Sequence, residues 1–318
     1  MKVIDHIKNS AKTLFSFELL PPLKGHHIDG IYRTIDPLLE FEPSFINITY
    51  HQEEVIYKTH ESGLLEKKTI RKRPGTVAIS AAIKYKYPSV DVVPHLICGG
   101  FTKEDTEYAL IDFHFLGINN ILAIRGDPPK SFRTFSPEKN GHTYASELVA
   151  QIIRMNKGKY LDDDLENTTD TDFCVGVAGY PEKHIESPNF SSDLKFLKEK
   201  IDAGASYIIT QLFFDNKKYF DFVKSCRNAG INVPIIPGLK PITTLKDINI
   251  LPQVFNIDIP EPLVKALNKC KTNEDAFQTG IEWTTAQSKE LISFGVPVLH
   301  YFTIGISENI RKIAASVF

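Results

Sequence analysis

Short runs rich in β-branched and aromatic residues alternate with longer amphipathic segments along most of the chain. Eight of these runs read as strands: TLFSFELL (13–20), FINITY (45–50), VVPHLIC (92–98), NILAIRG (120–126), FCVGVAGY (173–180), YIITQLFF (207–214), VPIIPGL (233–239) and VLHYFTI (298–304). Most lack strict apolar–polar alternation, the pattern of parallel strands covered on both faces. The intervening segments carry helix punctuation. Thr102-Lys-Glu-Asp105 has the form of a capping box with Asp in the last place, and Gly117 closes the helix it opens. Phe190-Ser-Ser-Asp193 starts another, with Leu194, Leu197 and Ile201 on one face and Gly204 as the stop. Asp215 is placed to cap a helix whose inward stripe is Tyr219, Val223 and Cys226, ending at Gly230. Glu274 to Phe294 reads as one long helix that Gly295 terminates.

Eight strands with helical returns predict an α/β fold, a (β/α)8 barrel in a single domain over residues 1–318. The structural alternative is an open doubly wound sheet, which usually carries GxGxxG after its first strand; no such sequence is present. The acidic stretch LDDDLENTTDTD (161–172) reads as a surface loop or frayed helix end.

Composition narrows the function classes. The chain is 42% hydrophobic and 24% charged with a formal charge of −2, ordinary for a globular protein. The one basic cluster, KKTIRKR (Lys67 to Arg73), precedes Pro74-Gly75 and reads as a solvated helix end or loop. It has no interleaved aromatics, which argues against nucleic-acid binding. The N-terminus MKVIDHIKNSAK lacks the apolar core of a signal peptide, and no segment approaches the roughly 18 apolar residues of a membrane span. Cys98, Cys174, Cys226 and Cys270 are far apart and read as reduced, buried thiols of a cytoplasmic protein. His26-His27 would point to opposite sides of a strand, so no metal site is expected.

In a (β/α)8 barrel, chemistry gathers at the C-terminal ends of the strands. There the chain places Glu18, Thr49-Tyr50, Arg125-Gly126-Asp127 and Tyr180, with Gln211, His95 and His300 inside strands. Each has an ordinary structural explanation: a strand threonine, core histidines, a glutamine on a backbone group, an aspartate forming a turn before Pro128-Pro129. Their joint delivery to one rim is what singles them out. Two carboxylates, Glu18 and Asp127, can divide proton donation and charge stabilisation. Gly126 would allow a flat ligand close to the backbone.

FSFELLPP, FINITYH, PHLIC, ILAIRGDPP, VGVAGYPEKH, DLKFLKEKIDAGASYIITQLFFD, IIPGL and HYFTI, in this order, resemble the catalytic barrel of the methylenetetrahydrofolate reductases over nearly the whole chain. The most specific pieces are RGDPP, the AxYPExH form at Ala178 to His184, and Lys200 to Asp215. The resemblance implies FAD at the C-terminal rim. It also implies ping-pong reduction of 5,10-methylenetetrahydrofolate to 5-methyltetrahydrofolate by NADH or NADPH, supplying methyl groups for methionine synthesis. Glu18 matches the general acid, and Asp127 the carboxylate near pterin and flavin. Gln211, Leu251 and Phe302 fall at folate-contacting positions. Thr49, His95, Ile124, Arg125, Gly126, Asp127, Tyr144, Ala145, Ala178, Tyr180, His184, Asp193 and Lys200 match the flavin site, with Arg125 and Lys200 suited to the pyrophosphate and Asp193 to a ribose.

The sequence departs from the family in three places. Where members commonly read YTxNR, this chain has Phe302-Thr303-Ile304-Gly305-Ile306, so Ile306 stands at a position often held by an arginine for the folate's glutamate carboxylate. That change forfeits about 1.5–3 kcal/mol of charged hydrogen bonding unless Arg311, Lys312 or Lys240 compensates. Leu251 falls where some members place an aromatic that stacks on folate or nicotinamide, and the loop KSFRTFSPEKNGH reads as longer than in compact bacterial relatives. No C-terminal regulatory domain is expected, and homo-oligomers are, as in barrel-only relatives. Two rival readings are a proline dehydrogenase-like flavin barrel and a barrel that binds flavin or folate without turnover. A Schiff-base aldolase is disfavoured because no lysine is clearly placed at a strand end.

Overall fold

The computed structural model describes residues 1–128 and 134–318. The second proline of the RGDPP motif and Lys130 to Arg133 of the following loop lie outside the described residues. The strands are β1 (Leu14–Leu19), β2 (Phe45–Ile48), β3 (Glu54–Thr59), β4 (Leu65–Ile70), β5 (Asp91–Ile97), β6 (Asn120–Ile124), β7 (Cys174–Gly179), β8 (Tyr207–Leu212), β9 (Ile235–Leu239) and β10 (Val298–Phe302). The α-helices are α1 (Val3–Asn9), α2 (Asp29–Ile35), α3 (Thr76–Lys86), α4 (Lys103–Phe115), α5 (Ala145–Met155), α6 (Phe190–Asp202), α7 (Asn216–Asn228), α8 (Asp247–Phe255), α9 (Glu261–Leu267), α10 (Asn273–Phe294) and α11 (Glu308–Val317).

Eight parallel strands close a barrel in the order β1-β10-β9-β8-β7-β6-β5-β2, with helices between them. This is the expected (β/α)8 barrel, and each of the eight runs overlaps one barrel strand. Several caps also match. The Thr102 hydroxyl accepts from Asp105 N–H at 3.0 Å while the Asp105 carboxylate accepts from Thr102 N–H at 3.0 Å. Asp215 caps α7, and Gly295 ends α10 with φ of +88°. The start of α6 differs by one position: the cap is Asn189, whose side chain accepts from Ser192 N–H at 2.9 Å.

The basic run is not a helix end. Lys67, Lys68, Thr69 and Ile70 belong to β4, which pairs antiparallel with β3 in a hairpin outside the barrel. The hairpin buries no face, so it lacks the alternation by which a strand is usually read. Of the cysteines, three are buried and Cys270 is half-buried, and all four are free.

The barrel interior is filled in two tiers. Phe45, Val93, Leu122, Cys174, Tyr207, Ile209, Ile236 and Val298 form the lower, apolar tier. Val3 of α1 closes it from below, fixed by Asn120, which accepts from Val3 N–H and donates to the Met1 carbonyl, both at 2.9 Å. Tyr207 fits because its register partner is Gly176, where a Cβ would meet the ring at 2.3 Å. The upper tier is polar and holds Ser16, Asn47, His95 and His300, all buried. A satellite core of Leu212, Phe214, Ile242, Leu251, Leu263 and Leu267 packs α8 to α10 against the ends of β8 and β9.

Gly280 tests that satellite packing. A Cβ on this α10 residue would stand 2.1 Å from the Ile242 carbonyl oxygen, so α10 would have to move. Helix propensity favours Gly280→Ala by about 1 kcal/mol. The clash should outweigh it and destabilise by about 1–3 kcal/mol, seen as a lower midpoint in urea unfolding. A raised midpoint would show that the contact relaxes freely.

Candidate functional site

Glu18 stands on β1 between its neighbours β10 and β2, in register with Phe302 and Asn47. Its carboxylate lies 3.3 Å from His95 Nε2 and 4.0 Å from His300 Nε2. The side chain is only 17% exposed. Each imidazole has one further side-chain partner: Asn47 Nδ2 is 3.2 Å from His95 Nε2, and the Ser16 hydroxyl is 2.9 Å from His300 Nδ1. Burial raises the Glu18 carboxyl above its ordinary value, against the pull of His95. Burial also lowers His95 to about 4, with Glu18 opposing and His300 and His51 adding to the fall. His300 drops to about 3 by burial alone. Near pH 7 both rings are therefore neutral, and the carboxyl between them holds its proton more tightly than an ordinary glutamate.

The exit of β1 is held from both sides. Thr303 Oγ1 donates to the Glu18 carbonyl at 2.7 Å and Thr49 Oγ1 to the Leu19 carbonyl at 3.1 Å. Thr49 thus has a backbone task at the rim. Asp127 follows Gly126, whose φ of +83° is the conformation glycine adopts without strain; a Cβ there would also crowd the Ile97 side chain at 3.1 Å. The Asp127 carbonyl accepts from Gln52 Nε2 at 2.7 Å, leaving its carboxylate at the exposed surface. Gln211 Oε1 accepts from Leu212 N–H at 2.9 Å, where β8 and β9 shift register.

Over the ends of β6 and β7 opens a groove of about 530 Å³. Ile124, Arg125, Tyr144, Ala145, Ala178, Tyr180, His184, Asp193 and Lys200 all line it, so nine residues expected at one site from scattered motifs do share one cavity. Arg125 donates to Glu186 at 2.6 Å and sits 4.8 Å from the Phe135 ring centroid. Lys200 donates to the Ala178 carbonyl at 2.6 Å, and burial lowers its ammonium to about 8 despite Asp193 nearby. Asp193 accepts from the Ser187 hydroxyl at 2.8 Å and from His184 N–H at 3.3 Å, so it braces the loop after β7. His184 packs edge-on against Tyr180 with centroids 4.7 Å apart. In the same loop, the largely buried Glu182 side chain accepts from Asp258 N–H at 3.0 Å and faces Lys218 at 3.7 Å; burial pushes its carboxyl up to about 7.

Leu251 does not line this groove; it is 4% exposed in the satellite core. Phe302 joins that core from the rim, resting on Gly238, where a Cβ would meet its ring at 2.7 Å. One expectation needs correcting. Lys240 does stand at a strand end, directly after β9, only 9% exposed, with Asp247 at 3.7 Å and the Pro241 carbonyl at 3.3 Å. That pairing braces the loop rather than leaving a free amine. Ser16, Asn47, Thr303 and Glu186 escaped the sequence reading because only closure of the barrel and its loops reveals their partners. Among the described residues no group of three or more His, Cys, Asp or Glu is placed to hold a metal, and no helix is long and apolar enough to cross a membrane.

The burial of Glu18 has a measurable consequence. In the unfolded chain its carboxyl ionises around the ordinary 4.5, and in the folded chain only at higher pH. The unfolded state therefore releases its proton first, and stability falls as pH rises through that window. Glu18→Gln removes the titration. The variant should be more stable than wild type at about pH 7, with the gain vanishing below about pH 4. Unfolding at both pH values checks it; a difference independent of pH would mean that ionisation of Glu18 carries no penalty.

The comparisons of sequence with known proteins point to one family. A sequence model of the family described as Methylenetetrahydrofolate reductase matches residues 2–317. Methylenetetrahydrofolate reductase (NADH) 1 of Arabidopsis thaliana is 32% identical over 322 residues, covering 97% of this chain and 49% of that protein. The 5,10-methylenetetrahydrofolate reductase of Escherichia coli (strain K12) is 30% identical over 295 residues, covering 92% of this chain and 86% of that one. The chain thus spans about half the length of the plant relatives it matches. Among solved structures, a Clostridium thermocellum protein described as binding two copies of 5-methyl-5,6,7,8-tetrahydrofolic acid superposes with a TM-score of 0.57. It covers 99% of this chain and 97% of its own at 16% identity, a likeness of fold. By the family match along its length and the identity to the bacterial reductase, the chain belongs to the methylenetetrahydrofolate reductase family.

Proposed function

We propose that this barrel reduces 5,10-methylenetetrahydrofolate to 5-methyltetrahydrofolate with NADH or NADPH, through FAD held in the groove over β6 and β7. The observation that carries the reading is Glu18: a buried carboxyl whose proton burial holds more tightly, set between two neutral imidazoles at the rim where a barrel does its chemistry.

The donor set of the groove suits a flavin nucleotide. Arg125 and Lys200 supply cations for a pyrophosphate, and Ala123, Ile124, Ala178 and Phe135 supply apolar wall. Bound there, FAD supplies hydride transfer between a reduced nicotinamide and the folate. The remaining chemistry belongs to the chain. Glu18 gives its proton to one of the two nitrogens that share the methylene carbon. The bond from that nitrogen to the carbon breaks, and the other nitrogen becomes an iminium able to accept hydride. The resulting carboxylate is disfavoured in its dry site and recovers a proton from solvent, so the acid is reset for the next cycle. His95 and His300 stay neutral throughout and do not lock the carboxylate in an ion pair. Gln211 and Asp127 would hold the pterin, with Phe302 beside it at the rim. One rim serving both substrates in turn gives ping-pong kinetics. The Cys98 and Cys226 thiols, pushed up to about 12 by burial, suit a reducing, cytoplasmic compartment.

The test is anaerobic. Purified protein should be yellow, bleach on addition of NADH or NADPH, and regain its colour with methylenetetrahydrofolate. A protein that stays colourless after reconstitution with FAD would end the reading. Glu18→Gln should still bleach but reoxidise with the folate at least about 100-fold more slowly, the usual scale for loss of a general acid. Normal reoxidation in that variant would remove Glu18 from the chemistry.

A further inference from the structure

Glu182 is a largely buried carboxyl that the chemistry above does not use. It sits in the loop after β7 between Tyr180 and His184, which both line the groove, yet it does not line the groove itself. Its side chain is 7% exposed and turns to the far side of the loop, toward α7 and the segment between α8 and α9. One carboxyl oxygen accepts from Asp258 N–H at 3.0 Å; the other is buried with no hydrogen-bond partner among the described residues. Lys218 of α7 stands 3.7 Å away and is nearer to the Asp258 carboxylate, at 3.2 Å. Asn256 adds a second tie, donating from Nδ2 to the Lys183 carbonyl at 3.4 Å. The groove side of the loop depends on these ties. Lys183 holds a φ of +83°, a left-handed conformation that is costly for a lysine and persists only where its surroundings hold it. Its N–H donates to the Tyr180 carbonyl at 3.2 Å, and its ammonium to the His184 and Ser187 carbonyls at 3.1 and 2.6 Å. That turn brings the Tyr180 and His184 rings together at the groove wall.

We propose that Glu182 is a positioning residue for the cofactor: with Asn256 it latches the β7 loop to the segment between α8 and α9, and opening of this latch limits how fast the flavin dinucleotide leaves. The inference rests on the flavin reading of the groove. The surroundings of Glu182 fit a neutral carboxyl better than a carboxylate. A neutral acid needs a donor at its carbonyl oxygen, which Asp258 N–H supplies; a carboxylate leaves its second oxygen charged and dry. Among the described residues the charged groups facing it are Lys218 from α7 and Asp258 from the α8–α9 segment, while the ammonium of adjoining Lys183 is turned to carbonyls. Burial pushes the carboxyl up to about 7, with the Asp258 carboxylate adding to the rise and Asp258 N–H and Lys218 opposing it. In an opened loop the carboxyl meets water and ionises around the ordinary 4.5. Rising pH between these two values therefore favours opening. Above about 7 the effect levels off, because the group is then ionised in both forms.

The experiment follows release of FAD from the loaded protein after dilution, by recovery of free-flavin fluorescence, at about pH 5.5 and about pH 7.5 in wild type, Glu182→Gln and Asn256→Gly. Wild type should release FAD about tenfold faster at the higher pH, within what a shift of this size allows. Glu182→Gln keeps an acceptor for Asp258 N–H and cannot ionise, so it should release slowly at both and lose most of the pH ratio. Asn256→Gly keeps the φ of +53° without strain and loses only the amide. It should release faster than wild type at both pH values with the ratio intact, which separates a tie that merely holds the loop from one that also titrates. His184 is held below the ordinary 6.5 by burial and titrates within the groove, but equally in wild type and Glu182→Gln. A wild-type release rate that ignores pH, or a Glu182→Gln protein that keeps the wild-type ratio, would overturn the latch. Release from Asn256→Gly at the wild-type rate would overturn it also, and the wild-type arm decides even where a variant misfolds. A folded wild type that takes up no FAD at either pH would sink the flavin reading of the groove, and the latch with it.

Discussion

Glu18 leaves water for the upper interior of the barrel, and the desolvation of a carboxylate is large enough that the surrounding structure has to answer it. A salt bridge would be one answer. This barrel uses another: the nearest titratable neighbours are imidazoles whose own charged forms burial disfavours. Acid and bases are pushed in opposite directions, the acid up and the histidines down, so burial favours the neutral form of each. A proton held in such a site is not drawn off by a permanent cation.

That arrangement depends on what lies beneath it. The lower tier is apolar, filled by Tyr207 against Gly176 and closed by Val3 of α1, so the floor of the site is packed. The walls are fixed by backbone contacts. Thr303 and Thr49 tie consecutive carbonyls of β1 to the strands on either side, which holds the Glu18 backbone in place. The groove is built differently, from loops braced by charge: Arg125 by Glu186, and the β7 loop by Asp193 and by the bond from its own Glu182 to Asp258 N–H. Rigid strands present the acid, and braced loops line the cavity.

The loops on either side of β1 differ in character. The turn after β10 carries two exposed isoleucines, and Ile304 adopts a φ of +46°, an unfavourable conformation for a β-branched residue. The chain between β2 and α3 carries the hairpin. Both segments adjoin the strand that bears Glu18.

Much of this could be read in the chain without its fold. The eight strand runs were legible because strands covered on both faces are dense in β-branched and aromatic residues. Thr102-Asp105, Asp215 and Gly295 were legible because caps act on their own helix ends. Glu18, Arg125 and Tyr180 stood out by position, since closure of a barrel carries every strand's C-terminal end to one rim. Pairings between distant residues were not legible. Ser16 meets His300 across 284 residues of chain, and Arg125 meets Glu186 across 61. Leu251 shows the same limit: its place in the satellite core follows from how α8 packs on α9 and α10. The hairpin escaped for the opposite reason, since it buries nothing and so imprints no period on its residues. Local sequence determined the elements and their caps, because backbone propensity and capping hydrogen bonds are settled within a few residues. Only the tertiary structure decided which charges meet and which stay unpaired, because register, closure and burial set those distances and the dielectric around them.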